Sequence, residues 1–278
     1  MKHFFLSAFL MTSILYSQAQ SIVTPQASPS QTISQNFSVG RVELSYSRPG
    51  LKGRKLGTDL APFGKVWRTG ANAATTIQFT DDVSIGGTSV KAGKYGVLSI
   101  PGASEWILII SKDLNVNAPD LYKQVNDVVR VKAPVRNLGT KVETFTMNFA
   151  NFTNNTCELQ LMWENSVVVL PITINTDEKV MKQISDIFDK DSKPYYSAAQ
   201  YYYDNGKDLA KAKEWIDKAI SDPANAKAFN VFLLKARIHQ KMGDKAGAKA
   251  NAEKTIALAT EAKNEDYIKM AQDLVKAL

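Results

Sequence analysis

Cysteine and histidine are almost absent from this 278-residue sequence, which contains one cysteine and two histidines. The single cysteine, Cys157, cannot form an internal disulfide, so we interpret it as a small buried apolar residue. His3 falls in a segment that we predict to be removed, which leaves His239 alone. A histidine-rich zinc site is therefore excluded, and Ser-His-Asp or Cys-His catalysis would depend on one histidine near the end of the chain. We predict no metal and no cofactor, and no catalytic residue can be named.

Long apolar runs are also lacking. Phe4 to Leu15 is mostly apolar but is shorter than the roughly 20 residues that a membrane-spanning helix needs. A polar start at Lys2 and small residues in Ser17–Ala19, at the positions that a signal peptidase reads, are typical of a signal peptide. We therefore predict a signal peptide over residues 1–19. The mature protein would begin at Gln20, have no membrane span, and be periplasmic or extracellular.

Negative charge is locally scarce. The whole chain has 34 Lys and Arg against 27 Asp and Glu, a net charge of +7. An exported protein meets little nucleic acid, so we predict that any anionic partner carries phosphate, carboxylate or sulfate groups of the cell envelope. A solvated loop is the alternative. Between residues 48 and 68, Asp59 alone opposes six basic residues, which are Arg48, Lys52, Arg54, Lys55, Lys65 and Arg68.

The first part of the chain has the pattern of a β-rich domain. Residues 20–36 are rich in Ser, Thr, Gln and Pro and are predicted to form a flexible leader. Beyond them, apolar and polar residues alternate in about nine short segments, which turn signals such as Gly86-Gly87 separate. Two of these predicted strands are Cys157 to Trp163 and Val167 to Ile174. No convincing helical pattern lies between these segments. Residues 37–176 are therefore predicted to form an antiparallel β-sandwich or jelly roll.

Residues 177–278 have a helical pattern, and two segments within them resemble one another at a spacing of 36. The pattern resembles tetratricopeptide (TPR) repeats, in which small residues let paired antiparallel helices approach closely, although the period is two residues longer than the standard one. An unrelated set of helical hairpins is the alternative. The corresponding positions are Gln200, Tyr203, Ala212, Ile216 and Ala219 in the first segment and Ala236, His239, Ala248, Ala252 and Thr255 in the second.

The resemblance to tetratricopeptide repeats implies a concave face for an extended peptide, and therefore a protein partner. Roughly three repeats are usually needed for independent stability, so two repeats would need support from the first domain or from another chain. Some of the aromatic rings near this face must simply belong to the core. The candidate anchors are Tyr195, Tyr196, Tyr201, Tyr202 and Tyr203.

The β-rich part also resembles a bacterial exported family known as domain of unknown function 2911. The resemblance runs in order from about Val39 to Ile174, and it implies an exported β-rich domain with no assigned reaction. Ala73 stands where the family commonly has Glu, and the Trp-Gly that commonly follows the last strand of the second motif is absent around Asn115 to Ala118. The matching motifs are "SYSRPGLKGRKLGTDLAPFGKVWRTGANAATTIQF", "VKAGKYGVLSIPGASEWILIISKDL", "NDVVRVKAP", "VETFTMNFANFTNNTCELQLMWE" and "VVLPITI".

A polar rim is predicted where two of the strands meet. Arg48 ends one strand, and Arg68, Thr69 and Asn72 precede the next, so antiparallel pairing brings both ends together. A guanidinium suits a carboxylate or phosphate, and an amide can orient a hydroxyl. The alternative is structural, with the arginine at position 68 paired to Glu43 or Asp59, Trp67 in the core, and glycine turns at positions 64 and 70.

Three functions are compatible with these patterns. The favoured one is a non-catalytic binding or scaffold protein of the envelope whose helices engage a protein partner. The second is a module that binds an anionic or carbohydrate-like ligand at the Arg48, Arg68 and Asn72 rim. The third is a histidine-independent hydrolase that uses Asp59 or Glu43.

Overall fold

The computed structural model describes residues 24–188 and 194–278. The predicted signal peptide and the start at Gln20 lie outside these residues. The chain divides into two compact units, the first ending at Asn175 and the second beginning at Thr176. Each has its own clusters of buried apolar side chains.

The first unit contains two antiparallel sheets. The strands are β1 Ser30–Phe37, β2 Gly40–Ser47, β3 Thr76–Phe79, β4 Val83–Ile85, β5 Thr88–Val90, β6 Gly93–Ile100, β7 Glu105–Ser111, β8 Asp127–Pro134, β9 Arg136–Ala150 and β10 Thr156–Thr173. One sheet has six strands in the order β1-β2-β3-β6-β7-β8, and the other has four in the order β5-β4-β10-β9. The fold is therefore β-rich and antiparallel, as the alternation in the sequence predicts.

One apolar cluster draws side chains from both sheets. Leu44 and Ile77 come from the six-stranded sheet, and Phe145 and Leu159 come from the four-stranded sheet. Alternate residues of a strand point to opposite faces, which explains why the apolar residues of β2 at positions 42, 44 and 46 are all buried. On β6 and β7 a second, smaller cluster contains Leu98 and Ile109 together with the loop residue at position 116.

Two details of the β-rich unit correct the sequence interpretation. The flexible leader is wrong for residues 30–36, because β1 pairs along its whole length with β2, from Ser30 opposite Ser47 to Phe37 opposite Gly40. This strand has few apolar residues, so its sequence does not show the apolar and polar alternation that predicts a strand. The two strands predicted around Trp163 are one continuous strand, β10, whose register with β9 shifts near that residue.

The second unit is helical. The helices are α1 Thr176–Phe188, α2 Tyr195–Asp204, α3 Leu209–Ser221, α4 Phe229–Lys241, α5 Lys245–Glu261 and α6 Glu265–Lys276. Residues of α4 belong to two apolar clusters, the first shared with α2 and α3 and the second with α5 and α6. Asp208 and Asp244 accept hydrogen bonds from backbone N–H groups in the first turns of α3 and α5 and so define where these helices begin. Among the helices that the structure describes, none combines the length and apolar character needed to cross a membrane.

Candidate functional site

The segment that precedes β3 is held by Trp67. Its backbone N–H donates to Ser99 O at 2.7 Å and its carbonyl accepts from Ser99 N at 3.0 Å. Its ring stacks on Trp163 with centroids 5.3 Å apart and meets Phe145 edge-on at 4.9 Å. Aromatic contacts of this kind are stabilising, so the ring anchors the segment to the core of the first unit.

Thr69 lies in the interior instead of at a surface rim. Its side chain is 0% exposed, and its hydroxyl lies 3.0 Å from the Ser99 hydroxyl. Its carbonyl accepts from the Thr75 hydroxyl at 2.9 Å, and its φ of 55° marks a tight turn. Thr69 therefore shapes the backbone and presents no group to a ligand.

The two arginines of the predicted rim are engaged separately. Arg48 donates to Phe145 O at 3.3 Å and to Thr146 Oγ1 at 2.7 Å, both on β9. Arg68 instead donates to Asn72 O at 3.1 Å, within its own turn, and not to either predicted carboxylate. The guanidinium groups therefore hold backbone segments in place.

The structure does bring the ends of β2 and β3 together, as Ser45 lies opposite Thr76. The backbone N–H of Arg48 donates to Pro29 O at 2.9 Å, and the Asn72 side chain donates to Ser28 O at 3.0 Å. These groups clamp the segment that leads into β1. The predicted residues thus form a strand junction in which their hydrogen-bonding groups are largely used.

A polar cluster that the sequence did not indicate lies at the start of β8. Asp127 Oδ2 accepts from the Tyr122 hydroxyl at 2.6 Å and from Arg130 at 2.9 Å, and Arg130 also donates to the Tyr122 hydroxyl at 2.6 Å. The Asp127 side chain is only 6% exposed, and its Oδ1 is buried without a hydrogen-bond partner among the described residues. Burial, helped by Asp127, raises the pKa of Tyr122 to about 12.

This cluster escaped sequence reasoning for a geometric reason. Residues three apart in a regular strand face opposite sides, so Asp127 and Arg130 were not expected to meet. The pairing of β7 with β8 shifts register between Ile110 and Ser111, and Ser111 is the residue opposite Asp127. An irregularity of this kind has no local sequence signal.

A cavity of about 200 Å³ opens in the loop next to the cluster. Asn126 donates to Asp113 Oδ2 at 2.7 Å, which ties the two ends of the loop together. The rim includes exposed apolar side chains, with Leu114 38% and Leu121 48% exposed. The arrangement can accept and donate hydrogen bonds beside an apolar wall. The cavity is lined by Asp113, Leu114, Asn115, Val116, Leu121, Lys123 and Asn126.

A wider depression of about 450 Å³ lies by the β4–β5 hairpin and the end of β10. Its acidic residue, Asp82, accepts from Lys91 at 2.7 Å and from Ala92 N at 2.8 Å, and these contacts hold its pKa below the usual value. The Asp82 carboxylate therefore stabilises the β4–β5 hairpin through these two contacts. In the described part of the chain, no three His, Cys, Asp or Glu side chains gather as a metal site would require.

The five tyrosines of α2 have different environments. Tyr195 and Tyr202 pack in the apolar cluster, with ring centroids 5.4 Å from Phe188 and 4.6 Å from Trp215 respectively. The Tyr201 hydroxyl donates to Asp177 Oδ1 at 3.0 Å, and burial raises its pKa to about 12.

Tyr196 and Tyr203 pack against the same apolar cluster, and like the other three tyrosines they are partly buried. The Tyr196 hydroxyl lies 3.5 Å from Gln200 Oε1, and the ring of Tyr203 is 4.9 Å from Lys241 Nζ of α4. Tyr203 therefore contacts both the cluster and a basic side chain of α4.

Comparison with known proteins gives a family for the first unit. The family described as "Protein of unknown function (DUF2911)" matches residues 28–172, which include β1 to β9 and all but the last residue of β10. No curated protein and no solved structure matches the chain. Because the match extends over more than half of its length, the chain belongs to the DUF2911 family of proteins of unknown function.

Proposed function

We propose that the protein is exported to the periplasm or beyond and acts there as a non-catalytic binding protein whose helices engage a protein partner. In this proposal the two sheets form a sandwich that serves as scaffold, and the helices form a TPR-like stack. Binding is favoured over catalysis because the polar groups of the predicted rim are used in internal hydrogen bonds.

A line of contacts across α2, α4 and α6 carries the proposal. Lys241 of α4 lies over the Tyr203 ring of α2 and donates to Tyr203 O at 3.2 Å. One helical turn away on α4, Arg237 lies 3.5 Å from the Met270 sulfur of α6. Alternate helices therefore lie side by side and present aromatic, basic and thioether groups on one face. Aromatic residues, arginine and methionine are enriched at protein interfaces, whereas lysine is depleted, so Tyr203, Arg237 and Met270 contribute most to the proposed face.

The packing of the helices also supports a repeat-like stack. α4 has one side in each of two apolar clusters, as expected when each helix pair packs on the next. Small side chains at the centre of the stack allow close approach of the helices. The fully or almost fully buried alanines of the described helices are Ala198, Ala199, Ala212, Ala219, Ala236, Ala248, Ala252, Ala259 and Ala271.

A small polar ligand at the cavity beside Asp113 and Asn126 is the second candidate. The observation in its favour is a set of acceptor and donor groups next to apolar side chains, which is typical of ligand pockets. A thermal-shift screen of sugars and small anions tests it. A shift that disappears in Asp113→Ala but persists in Asp120→Ala supports binding there.

The geometry gives less support to the other two functions, a hydrolase and a ligand site at the predicted rim. The Asp59 carboxylate accepts from Lys55 N at 2.9 Å within its own loop. No contact brings Glu43 or Asp59 to a second polar group at the Arg48, Arg68 and Asn72 rim among the residues described. The geometry therefore favours neither a hydrolase nor a ligand site at that rim.

Photo-crosslinking from defined positions of the full chain tests the main proposal. A benzophenone amino acid replaces Tyr203, Arg237 or Met270 on the proposed face, and Lys249 or Lys254 on an exposed part of α5 serves as control. We expect the first three positions to crosslink a shared protein that the control positions do not. Crosslinks that are equal from both sets would contradict the proposed face.

Binding of the identified protein then provides the quantitative test. Removal of the aromatic and basic groups in Tyr203→Ala with Lys241→Ala should weaken binding at least about tenfold, or ~1.4 kcal/mol. Lys249→Ala should leave the affinity unchanged. An unchanged affinity in the double variant, with native circular dichroism, would exclude this face as the binding site.

A further inference from the structure

The loop of residues 51–68 is anchored from within. Leu51, Leu56 and Ala61 are all buried in the main apolar cluster of the first unit. Backbone hydrogen bonds close the loop on itself, such as Phe63 N to Gly57 O at 3.1 Å. The loop is therefore a fixed platform on the surface of the first unit.

The charged side chains of this loop point outward. Lys52, Arg54, Lys55 and Lys65 are exposed, and within the described residues none of their charged groups has a carboxylate within 4.0 Å. Two lysines elsewhere in the same unit do have such partners, Lys91 in Asp82 at 2.7 Å and Lys132 in Glu105 at 3.4 Å. The loop therefore concentrates positive charge that the protein itself leaves unneutralised.

The nearest acidic groups are used by the backbone. Asp59 accepts from the N–H of Lys55 at 2.9 Å, and Glu143 accepts from the N–H of Lys52 at 2.6 Å. The Arg54 guanidinium donates to the carbonyls of Leu51 and Gly50, both at 3.1 Å. These bonds fix the loop, and the excess of positive charge remains.

An exposed aromatic residue lies in the same loop as these cations. Phe63 is 43% exposed. At Gly57, where φ is 87°, a Cβ atom would lie 2.3 Å from the Phe63 ring. The ring therefore fits at this position because residue 57 has no side chain. Gly64 N donates to Pro101 O at 2.8 Å, which ties the turn after Phe63 to the loop that follows β6. The ring is thus held at the surface.

We propose that this basic loop, residues 51–68, docks on an anionic phospholipid bilayer. Phe63 enters the headgroup region while Lys52, Arg54, Lys55 and Lys65 contact the lipid phosphates. Basic residues near an anionic bilayer and an aromatic ring at its interface both add to membrane affinity. A soluble polyanion would use the cations and leave the ring in water, whereas a bilayer uses both. The inference is independent of the partner proposed for the helices.

Vesicle co-sedimentation of the full chain tests the docking. We expect binding to vesicles of mixed phosphatidylglycerol and phosphatidylcholine at low salt, little binding to phosphatidylcholine alone, and a marked loss at high salt. Lys52→Glu with Lys55→Glu should weaken the partition about fivefold or more per lysine, as expected for cations at an anionic surface. Lys249→Glu with Lys276→Glu changes the net charge equally in the helical unit and should have little effect.

Phe63→Ser separates a bilayer from a soluble polyanion. It should reduce vesicle binding severalfold while binding of soluble polyphosphate, measured in parallel, is unchanged. Circular dichroism of every variant confirms that the fold is retained. Equal losses in the two charge-reversal pairs, no effect of Phe63→Ser on vesicles, or no binding to anionic vesicles would each overturn the proposal.

Discussion

Asp127 occupies an environment that is poor in water. One oxygen of its carboxylate accepts from both Tyr122 and Arg130, while the other is buried without a partner among the described residues. Burial of a charge is unfavourable unless it is paired and hydrogen-bonded. The ion pair with Arg130 is therefore what allows a carboxylate at this position.

Asp127→Asn should destabilise the first unit by about 2–3 kcal/mol, because hydrogen bonds to the charged carboxylate are lost and Arg130 is left without its counterion. Urea unfolding followed by tryptophan fluorescence measures the change. Asp120→Asn alters an exposed carboxylate in the same loop and should cost less than about 0.5 kcal/mol. Equal effects of the two substitutions would show that the cluster contributes no stability.

The raised pKa of Tyr122 predicts that the stability of the first unit changes at alkaline pH. Its pKa is raised from 10.0 to about 12 in the folded protein, so its contribution is complete below pH 10 and is lost as the pH rises through about 12. Stability should therefore fall more steeply over this range in the natural protein than in Tyr122→Phe. Urea midpoints across the range give the measurement. Parallel curves would mean that Tyr122 ionises normally in the folded protein.

At the scale of elements, the Asp244 side chain helps to hold the turn between α4 and α5. His239 Nδ1 lies 2.7 Å from Asp244 Oδ2, and the other carboxylate oxygen of Asp244 accepts from Gly247 N at 2.9 Å. These contacts lower the pKa of Asp244, the backbone bond to Gly247 most of all. The His239 ring is almost fully buried, and its Nε2 has no partner among the described residues. Its position therefore depends on the space beside Gly247.

Gly247→Ala should destabilise the helical unit, although a change from glycine to alanine within a helix usually stabilises it. Alanine favours helix by up to about 1 kcal/mol, yet its Cβ would lie 2.3 Å from His239 Nδ1 and 2.4 Å from Asp244 Oδ2. We expect a net loss of about 1–3 kcal/mol from overpacking. Thermal unfolding followed at 222 nm measures it.

A double-mutant cycle with His239→Ala isolates the cause. Removal of the ring creates space for the new methyl group, so Gly247→Ala should cost much less in that background. The same cost in both backgrounds would assign the loss to the helix itself.

At the scale of the whole molecule, the proposed export would set the conditions in which the other proposals apply. Processing after Ala19 should give a mature protein that begins at Gln20. Expression of the full chain in a bacterial host, fractionation, and intact-mass measurement of the periplasmic protein test this. A cytoplasmic product with residues 1–19 still attached would contradict export, and so would a product cleaved elsewhere.

The organisation into a β-rich domain followed by helices could be predicted from the sequence, and both parts are confirmed. Period-two alternation is local and strong in β2, where burial follows it residue by residue. The first strand was missed because SQTISQNF offers few apolar residues, and its pairing with β2 stabilises it instead. Family membership was also predictable, since the motifs occur in order from about Val39 to Ile174 and the family matches residues 28–172.

The sequence by itself determined the class of most elements, though not of β1, together with the excess of positive charge in residues 51–68 and the family. Only the tertiary structure decided which polar groups meet. Arg48 binds Thr146, 98 residues away, and Tyr122 joins Asp127 and Arg130 where the register of two strands shifts. The physical reason is that local periodicity selects strand or helix, whereas side-chain partners depend on register and on how distant segments pack.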